Sequence, residues 1–358
     1  MRTYTNERYG IKLYNGDCLD VMTMLEDKSI DLICIDPPYN INKAKWDTWK
    51  TVDLYVEFMG NVFKQCEQML KDNGSFYFFH NDFEQIAELQ YWLKRNTGFI
   101  FKQFIIWNKR FEGGRNKGYL DGYVAIGQDR NYRLMAEYCL FYTFQDATGR
   151  KLVDHDINNY VPLREYFRQL QGYIGFTKTD ILQTIGQQAD HCFRHSSTQW
   201  SLPTMETYQQ LIDKFNIDKW EGFRKYEELR LEYEELRLEY EELRYTFNNQ
   251  KTHHSVWNYE IAKSNGHITP KPVDLIENIT RHSSNEGNLV LDCFMGSGTT
   301  GVACINTDRH FIGIELDDHY FDVSVERIEK AIKAKESQPM KIFEVVQELE
   351  QMQQRKFM

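Results

Sequence analysis

Asp36-Pro37-Pro38-Tyr39-Asn40 follows directly on the apolar run Asp31–Ile35. Two consecutive prolines suit neither a continuing strand nor a helix interior, so this stretch is either an ordinary turn or a small rigid site holding an acid and an aromatic ring. A second chemistry-bearing stretch lies near the other end of the chain. There Leu289–Asp292 runs into the small-residue turn Phe294-Met295-Gly296-Ser297-Gly298-Thr299-Thr300. Glycine and serine at 296–298 let the backbone approach a ligand, and the N–H groups that open a following helix bind polar or anionic groups. About twenty residues further on, the run His310–Glu315 ends in a carboxylate, the group that accepts hydrogen bonds from a ribose diol in nucleotide-binding α/β folds. The turn matches neither GxxxxGK[ST] nor GxGxxG, so it points to a nucleoside-type cofactor rather than a nucleoside triphosphate or a dinucleotide.

Positioning these residues requires strands that end beside one another. The spacing predicts strands at Ile11–Tyr14, Asp31–Ile35, Gly74–Phe79, Lys102–Trp107, Tyr138–Thr143, Leu289–Asp292 and His310–Glu315. Helical periodicity occupies residues 19–26, 52–71, 83–95 and 271–282, a stretch ending near 306, and a long run from Asp318. Alternating strands and helices predict an α/β fold with a mostly parallel sheet covered on both faces. Residues 1–150 and 251–335 are expected to share this core, with 336–358 a peripheral helical tail rich in Gln, Glu and Lys.

Residues 151–250 break the pattern and predict a mainly helical insertion, with pieces at Pro162–Gln171, Thr177–Ile185, Gln187–Phe193 and Glu206–Phe215. The second and third pieces flank Gly186 and form a helix-turn-helix candidate. Residues 226–244 repeat YEELRLE. Tyr226, Leu229, Tyr233, Leu236, Tyr240 and Leu243 fall alternately three and four apart, an a/d heptad seam with Arg at e and Glu at g. A dimer seam and a helix packed on its own domain are both compatible with that spacing.

The 358 residues are 41 % apolar, enough for a large core, and carry a formal charge of −10. That balance excludes a generally basic nucleic-acid coat, although local clusters of Lys and Arg in one cleft still bind phosphate. Seven scattered cysteines with no CxxC pair suggest buried free thiols in a reducing compartment. The start MRTYTNERYG has no apolar signal core, and no run approaches the roughly 18 apolar residues of a membrane helix, so a cytoplasmic protein without membrane contact is expected. The ten histidines form no HExxH pattern, and no metal site is assigned.

DPPYN, the loop Asn15-Gly16-Asp17-Cys18, His267-Ile268-Thr269-Pro270-Lys271-Pro272 and Asp292-Cys293-Phe294-Met295-Gly296-Ser297-Gly298-Thr299-Thr300 occur in this order. In that order the chain resembles the DNA amino-methyltransferases of the beta arrangement, whose catalytic motif precedes the recognition region and whose S-adenosylmethionine (SAM) motif comes last. The resemblance covers roughly residues 10–145 and 250–330. It implies a Rossmann-like SAM-dependent methyltransferase fold with an inserted recognition region. Phe294, Gly296, Gly298 and Thr299 would line the methionine end of SAM, with Asp292 and Ser297 in the same motif. Glu315 would hold the ribose, Asp17 and Cys18 would approach the adenine, and Lys271 and Pro272 would close the pocket at a helix start. The family usually carries Pro-Thr-Gln before Lys-Pro, from which Ile268 and Pro270 depart.

The same resemblance makes Asp36, Pro37, Pro38, Tyr39 and Asn40 catalytic. An exocyclic amine is a poor nucleophile because its lone pair is delocalised into the ring. The Asp36 carboxylate and the Pro37 carbonyl would hold both amino hydrogens, and Tyr39 would stack on a base flipped out of the helix. Physics leaves N6 of adenine and N4 of cytosine open, while an aspartate in first position favours adenine by resemblance. The competing class is a non-catalytic DNA-binding or scaffold protein using the helical unit and heptads. Candidate DNA contacts are Lys43, Lys45, Lys109, Arg110, Arg115 and Lys117 in the core, and Lys178, Gln188, His191, Arg194 and His195 in the insertion. The expected partners are double-stranded DNA, a second copy of the chain through the heptads, and a separate cognate restriction endonuclease.

Overall fold

The apolar runs of the sequence assemble into one mixed sheet of nine described strands. In chain order these are β1 (Arg2–Asn6), β2 (Ile11–Asn15), β3 (Ile30–Ile35), β4 (Leu70–His80), β5 (Ile100–Asn108), β6 (Ala136–Thr143), β7 (Val256–Asn258), β8 (Leu289–Asp292) and β9 (His310–Glu315). The computed structural model describes residues 1–42, 47–114, 134–144, 160–197, 199–243, 245–248, 254–262 and 270–337. Across the sheet the order is β1-β2-β9-β8-β3-β4-β6-β5-β7. Five of the eight described pairings are parallel, and the antiparallel ones involve β1 with β2 and β6 with both β4 and β5. The mostly parallel core predicted from the alternating pattern is thus present.

The chain divides into two units, one of Met1–Phe144 with Thr246–Met358 and one of Gln145–Tyr245. In the first unit, strand β3 is buried along almost its whole length, as expected for a strand covered on both faces. The helix Val52–Met69 starts at Thr51, whose hydroxyl accepts from Leu54 N at 3.2 Å. It buries Tyr55, Met59 and Phe63 against Phe76 and Phe78 of β4 and Leu140 of β6. Two strands escaped the sequence pattern. Arg2–Asn6 is polar and is defined by its register with β2, and Val256–Asn258 is three residues long and held by β5. The first helix ends at Met22 rather than near residue 26. Among the described residues no helix is long and apolar enough to cross a membrane.

The second unit is helical, with Val161–Ile174, Lys178–Ile185, Met205–Phe215 and Tyr226–Leu243. Leu163, Phe167, Ile181, Tyr208 and Leu211 form its core. The expected second helix of a helix-turn-helix is absent: Gln187–Ala189 and His191–Phe193 are separate 3-10 turns meeting at Asp190. Two 3-10 turns present no continuous face to a groove. In the heptad helix, Leu229 is fully buried, and Tyr226, Tyr233 and Leu236 pack against the same core. Tyr233 stacks on Tyr160 with ring centroids 4.7 Å apart. The seam is therefore used inside its own unit, while Leu231 and Leu238 at the f positions are 63 % and 56 % exposed.

Leu229→Ala is expected to destabilise the protein by about 2–5 kcal/mol in chemical denaturation, whereas Leu231→Ala stays within about 0.5 kcal/mol. Equal losses for the two variants would contradict this orientation of the helix.

Candidate functional site

Parallel register brings four strand ends into one row. Asn15 of β2 lies opposite Glu315 of β9, Asp292 of β8 opposite Gly313 of β9, and Ile33 of β3 opposite Leu291 of β8. Glu315 ends β9, and the loops that leave β2, β8 and β3 carry Asp17, Phe294 and Asp36 respectively. Ligands of open α/β sheets bind outside such carboxyl ends. Here the loops wall a cleft of about 740 Å³ lined by Asp17, Cys18, Asp36, Pro37, Pro38, Tyr39, Lys271, Asp292, Phe294, Gly296, Ser297, Thr299 and Glu315. Three expected site residues stand behind that wall. Asn40 accepts from Trp49 N at 2.8 Å, Pro272 caps the helix Val273–Ser283, and Gly298 takes φ +75°. A Cβ on Gly298 would lie 2.9 Å from Ser324 Cβ, so glycine fits both its backbone and its space.

On the glycine-rich side, the Glu315 carboxylate accepts from Gly296 N and Asp317 N, both at 2.8 Å. Burial raises its pKa. With two of roughly four acceptor sites used, it retains capacity for a ligand diol. Asp292 accepts from Thr300 Oγ1 at 2.6 Å and Phe294 N at 3.0 Å, tying strand, turn and helix together. Burial outweighs those bonds and pushes the Asp292 carboxyl up to about 7. Burial also raises the Cys18 thiol to about 12, so it is a neutral wall of the cleft. Arg327, which sequence reasoning did not single out, donates to Ser297 O at 2.5 Å and Ser297 Oγ at 2.7 Å from the helix Asp318–Glu336.

The DPPYN turn is held from outside itself. Buried Asp47 accepts from Tyr39 N at 2.6 Å, Asn40 N at 2.7 Å and Ile41 N at 3.3 Å. Tyr55 OH donates to Pro38 O at 2.8 Å, and His80 Nε2 lies 3.0 Å from that hydroxyl. His80 Nδ1 accepts from Asp82 N, which leaves Nε2 as the protonated nitrogen, and burial holds the ring pKa down at about 4. Asn40 sits at φ +54°, in the left-handed region that asparagine tolerates. Its amide bonds Gln85, which in turn donates to Tyr39 O.

Both Asp36 oxygens are engaged. Tyr39 OH donates to Oδ1 at 2.5 Å and Lys271 Nζ to Oδ2 at 2.5 Å. The same ammonium donates to Tyr39 OH at 3.1 Å and meets Glu137 Oε2 at 3.1 Å. Glu137 Oε1 is bonded by Lys109. Burial acts against both buried charges, but the partners win. Asp36 and Glu137 raise Lys271 to about 12, while Lys271 and Lys109 hold Glu137 at about 2. Burial likewise keeps the Tyr39 phenol neutral. Lys271 thus lines the cleft as expected, yet its ammonium is bonded to the DPPYN acid. Glu137 was missed, although an acid on the edge of the apolar run Tyr138–Thr143 is a signal of a paired internal charge.

The basic candidates are divided. Lys43, Lys45, Arg115 and Lys117 lie outside the described residues. Lys109 turns inward to Glu137, and Arg110 is exposed. In the helical unit Lys178 and Arg194 both pair with Asp190, and Gln188 bonds Gln210. His191 Nδ1 lies 3.0 Å from Gln199 O, and His195 Nε2 lies 2.9 Å from Gln171 Oε1. These side chains have partners within their own unit.

Two measurements follow from this geometry. Removing the shared acceptor with Asp47→Ala should cost about 2–4 kcal/mol in urea denaturation; a change under about 0.5 kcal/mol would mean the clamp contributes nothing. For Asp292 the folded pKa of about 7 exceeds the ordinary 3.8. Its contribution is fully present below about pH 4 and is lost as pH rises through 7. Asp292→Asn should therefore flatten the fall in stability between about pH 4 and 7, and parallel curves for the two proteins would rule this out.

Comparison with known proteins places the fold and site in context. A family model described as DNA methylase matches residues 30–326, well over half of the chain. Type II methyltransferase M1.MboII of Moraxella bovis is 29 % identical over 309 residues, covering 86 % of this chain and 93 % of that protein. DNA adenine methyltransferase YhdJ of Escherichia coli K12 is 26 % identical over 330 residues, covering 89 % and 83 %. The structure of the cytosine-N4-specific PvuII DNA methyltransferase shares the fold at 14 % identity, with a TM-score of 0.50 and 90 % of each chain covered. With the Rossmann-like sheet, the inserted helical unit and a cleft that joins an acidic turn to a glycine-rich one, the chain belongs to the DNA methylase family and is a SAM-dependent DNA amino-methyltransferase.

Proposed function

We propose that the protein transfers a methyl group from SAM to the N6 amino group of an adenine flipped out of a specific double-stranded DNA sequence. The observation that carries this reading is the position of the Asp36 carboxylate in the same cleft as the Phe294–Thr299 turn and Glu315. SAM supplies an electrophilic methyl group. Glu315 would hold its ribose, Phe294, Gly296, Gly298 and Thr299 its methionine end, and Asp17 and Cys18 its adenine side. The charge and depth of the cleft fit that ligand: a carboxylate already oriented by two N–H groups for a diol, beside largely apolar walls.

The residues of this chain do the rest. Asp36 and the Pro37 carbonyl accept both amino hydrogens, which turns the nitrogen lone pair toward the methyl. Because the prolines and the Asp47 clamp set the turn before DNA arrives, little ordering is needed on binding. The Tyr39 ring lies against His80 with centroids 4.9 Å apart, which limits the plane on which a base can stack. Aspartate in first position and the adenine-methylating relative of E. coli support adenine over cytosine. The helical unit would read the target sequence, with Arg110 a candidate phosphate contact of the core. Action in the cytoplasm, assembly as a homodimer and pairing with a cognate restriction endonuclease belong to the same proposal.

Incubation with labelled SAM and mixed-sequence duplex DNA, followed by nucleoside analysis, should yield N6-methyladenine. N4-methylcytosine would overturn the choice of base, and no labelled base would overturn the activity. Asp36→Ala should lose at least about 100-fold in methyl transfer while retaining SAM affinity. Glu315→Ala should weaken SAM binding about tenfold or more.

A further inference from the structure

A turn built on Gly296, Ser297 and Gly298 has the backbone freedom to turn its peptide planes, and a ligand that needs one arrangement must stop that motion on binding. Here the Ser297–Gly298 peptide is held on both sides. Its carbonyl accepts from Arg327 Nη1 at 2.5 Å, and its N–H, that of Gly298, donates to Met295 O at 2.8 Å. A trans peptide is planar, so bonds to both of its polar groups fix the orientation of the whole unit. The same guanidinium nitrogen also donates to Ser297 Oγ at 2.7 Å and Thr299 Oγ1 at 3.3 Å, which ties the turn to the first residue of the helix Thr299–Asn306.

Arg327 belongs to one face of the helix Asp318–Glu336. Ser324 shares that face, because residues three and four apart on a helix are neighbours, and Ile328 lies four beyond Ser324. A Cβ on Gly298 would meet Ser324 Cβ at 2.9 Å, and one on Gly301 would meet Ile328 Cδ1 at 2.5 Å. The helix therefore backs the turn and the residues after it at three points. Its start serves the other half of the cleft: Asp317 N donates to Glu315 Oε1 at 2.8 Å, while the Asp317 carboxylate caps the helix by accepting from Tyr320 N at 3.0 Å. Arg327 stands behind the cleft wall, so any effect it has on a ligand passes through the turn.

We infer that Arg327 is a positioning residue for the methyl donor, holding the Ser297–Gly298 peptide from behind so that the turn meets the amino-acid end of SAM already formed. This rests on the reading of the Phe294–Thr299 turn as the site of that end. Burial disfavours the charge of Arg327, yet a guanidinium stays protonated, and charged donors make the stronger hydrogen bonds. Without it Ser297 O loses this donor, and the cost of ordering the two glycines falls on ligand binding. The nucleoside end of SAM is held by Glu315, whose own bonds come from Gly296 N and Asp317 N, so the loss should fall unequally on the two ends of the molecule.

The test measures equilibrium binding of SAM and of 5′-methylthioadenosine, which keeps the nucleoside and lacks the amino-acid end, to the full-length protein and its variants. Arg327→Met should weaken SAM about tenfold or more and leave 5′-methylthioadenosine within about twofold. Arg327→Lys, which keeps the charge, should return part of the SAM affinity. In the unliganded protein, amide hydrogen exchange of the segment 294–300 should quicken in Arg327→Met, with β8 and β9 unchanged. Equal losses for the two ligands, unchanged SAM affinity, or unchanged exchange in the segment each overturns the inference. Should Arg327→Met fail to fold, Arg327→Gln keeps a neutral donor and should show the same unequal loss, smaller in size. Glu315→Ala separates the two levels. Wild-type SAM binding by that variant would overturn the reading of the cleft as the SAM site, whereas its weakened binding beside wild-type binding by Arg327→Met would overturn only the role of Arg327.

Discussion

Everything at the site depends on the pairing of β8 with β3. These strands lie more than 250 residues apart in sequence, yet two backbone registers, Leu32 with Val290 and Ile33 with Leu291, set their ends side by side. Backbone hydrogen bonds fix this distance to the strand spacing of roughly 5 Å. The glycine-rich loop and the DPPYN turn then need no separate device to bring them together. Further bonds lock the row: Met295 N donates to Ile314 O at 3.0 Å and Gly16 N to Glu315 O at 2.9 Å. The apolar residues on both faces make the register costly to slip, because a one-residue shift would move every side chain to the opposite face, where the packing does not match its shape.

Within this frame the two sides of the cleft are stabilised by different physics. The glycine-rich side relies on backbone N–H groups directed at Glu315 and Asp292, so its carboxyls are isolated acids whose pKa values rise with burial. The DPPYN side relies on opposite charges in contact, and there burial is outweighed. A buried ion cluster is seldom retained for stability alone, since apolar residues of similar volume often do as well. Its value here is directional: each charge has a defined neighbour, and the acid at the end of the cluster opens into the cleft.

Much of this arrangement was legible in the residues. DPPYN, the small-residue turn and the acid ending β9 each announced a strand end with a chemical use, and the structure brings them into one cleft. The less legible parts depend on long-range contact. Asp47 has no pattern that predicts an acceptor for three N–H groups, and the partnership of Lys271 with Glu137 spans separate strands and loops. In the helical unit local pattern misled more directly. The stretch Gln187–Phe193 has helical composition, but Asp190 serves Lys178 and Arg194 and sits between two tight turns. The heptad seam could not reveal its partner, because the spacing that suits a second copy also suits packing on Tyr160 and the core beside it.

The sheet order also has a consequence for synthesis. Strand β3 acquires its β8 neighbour only after about 250 further residues are made, roughly 10–50 s at ordinary elongation rates. Through that interval its edge, and that of β2 awaiting β9, carry unpaired N–H and C=O groups beside apolar side chains. The helical unit encoded between them contains its own core and can collapse during this delay. Translation order thus separates a hazardous period of open edges from the moment of closure, and a nascent chain lacking β8 and β9 has no enclosed pocket in which to begin chemistry.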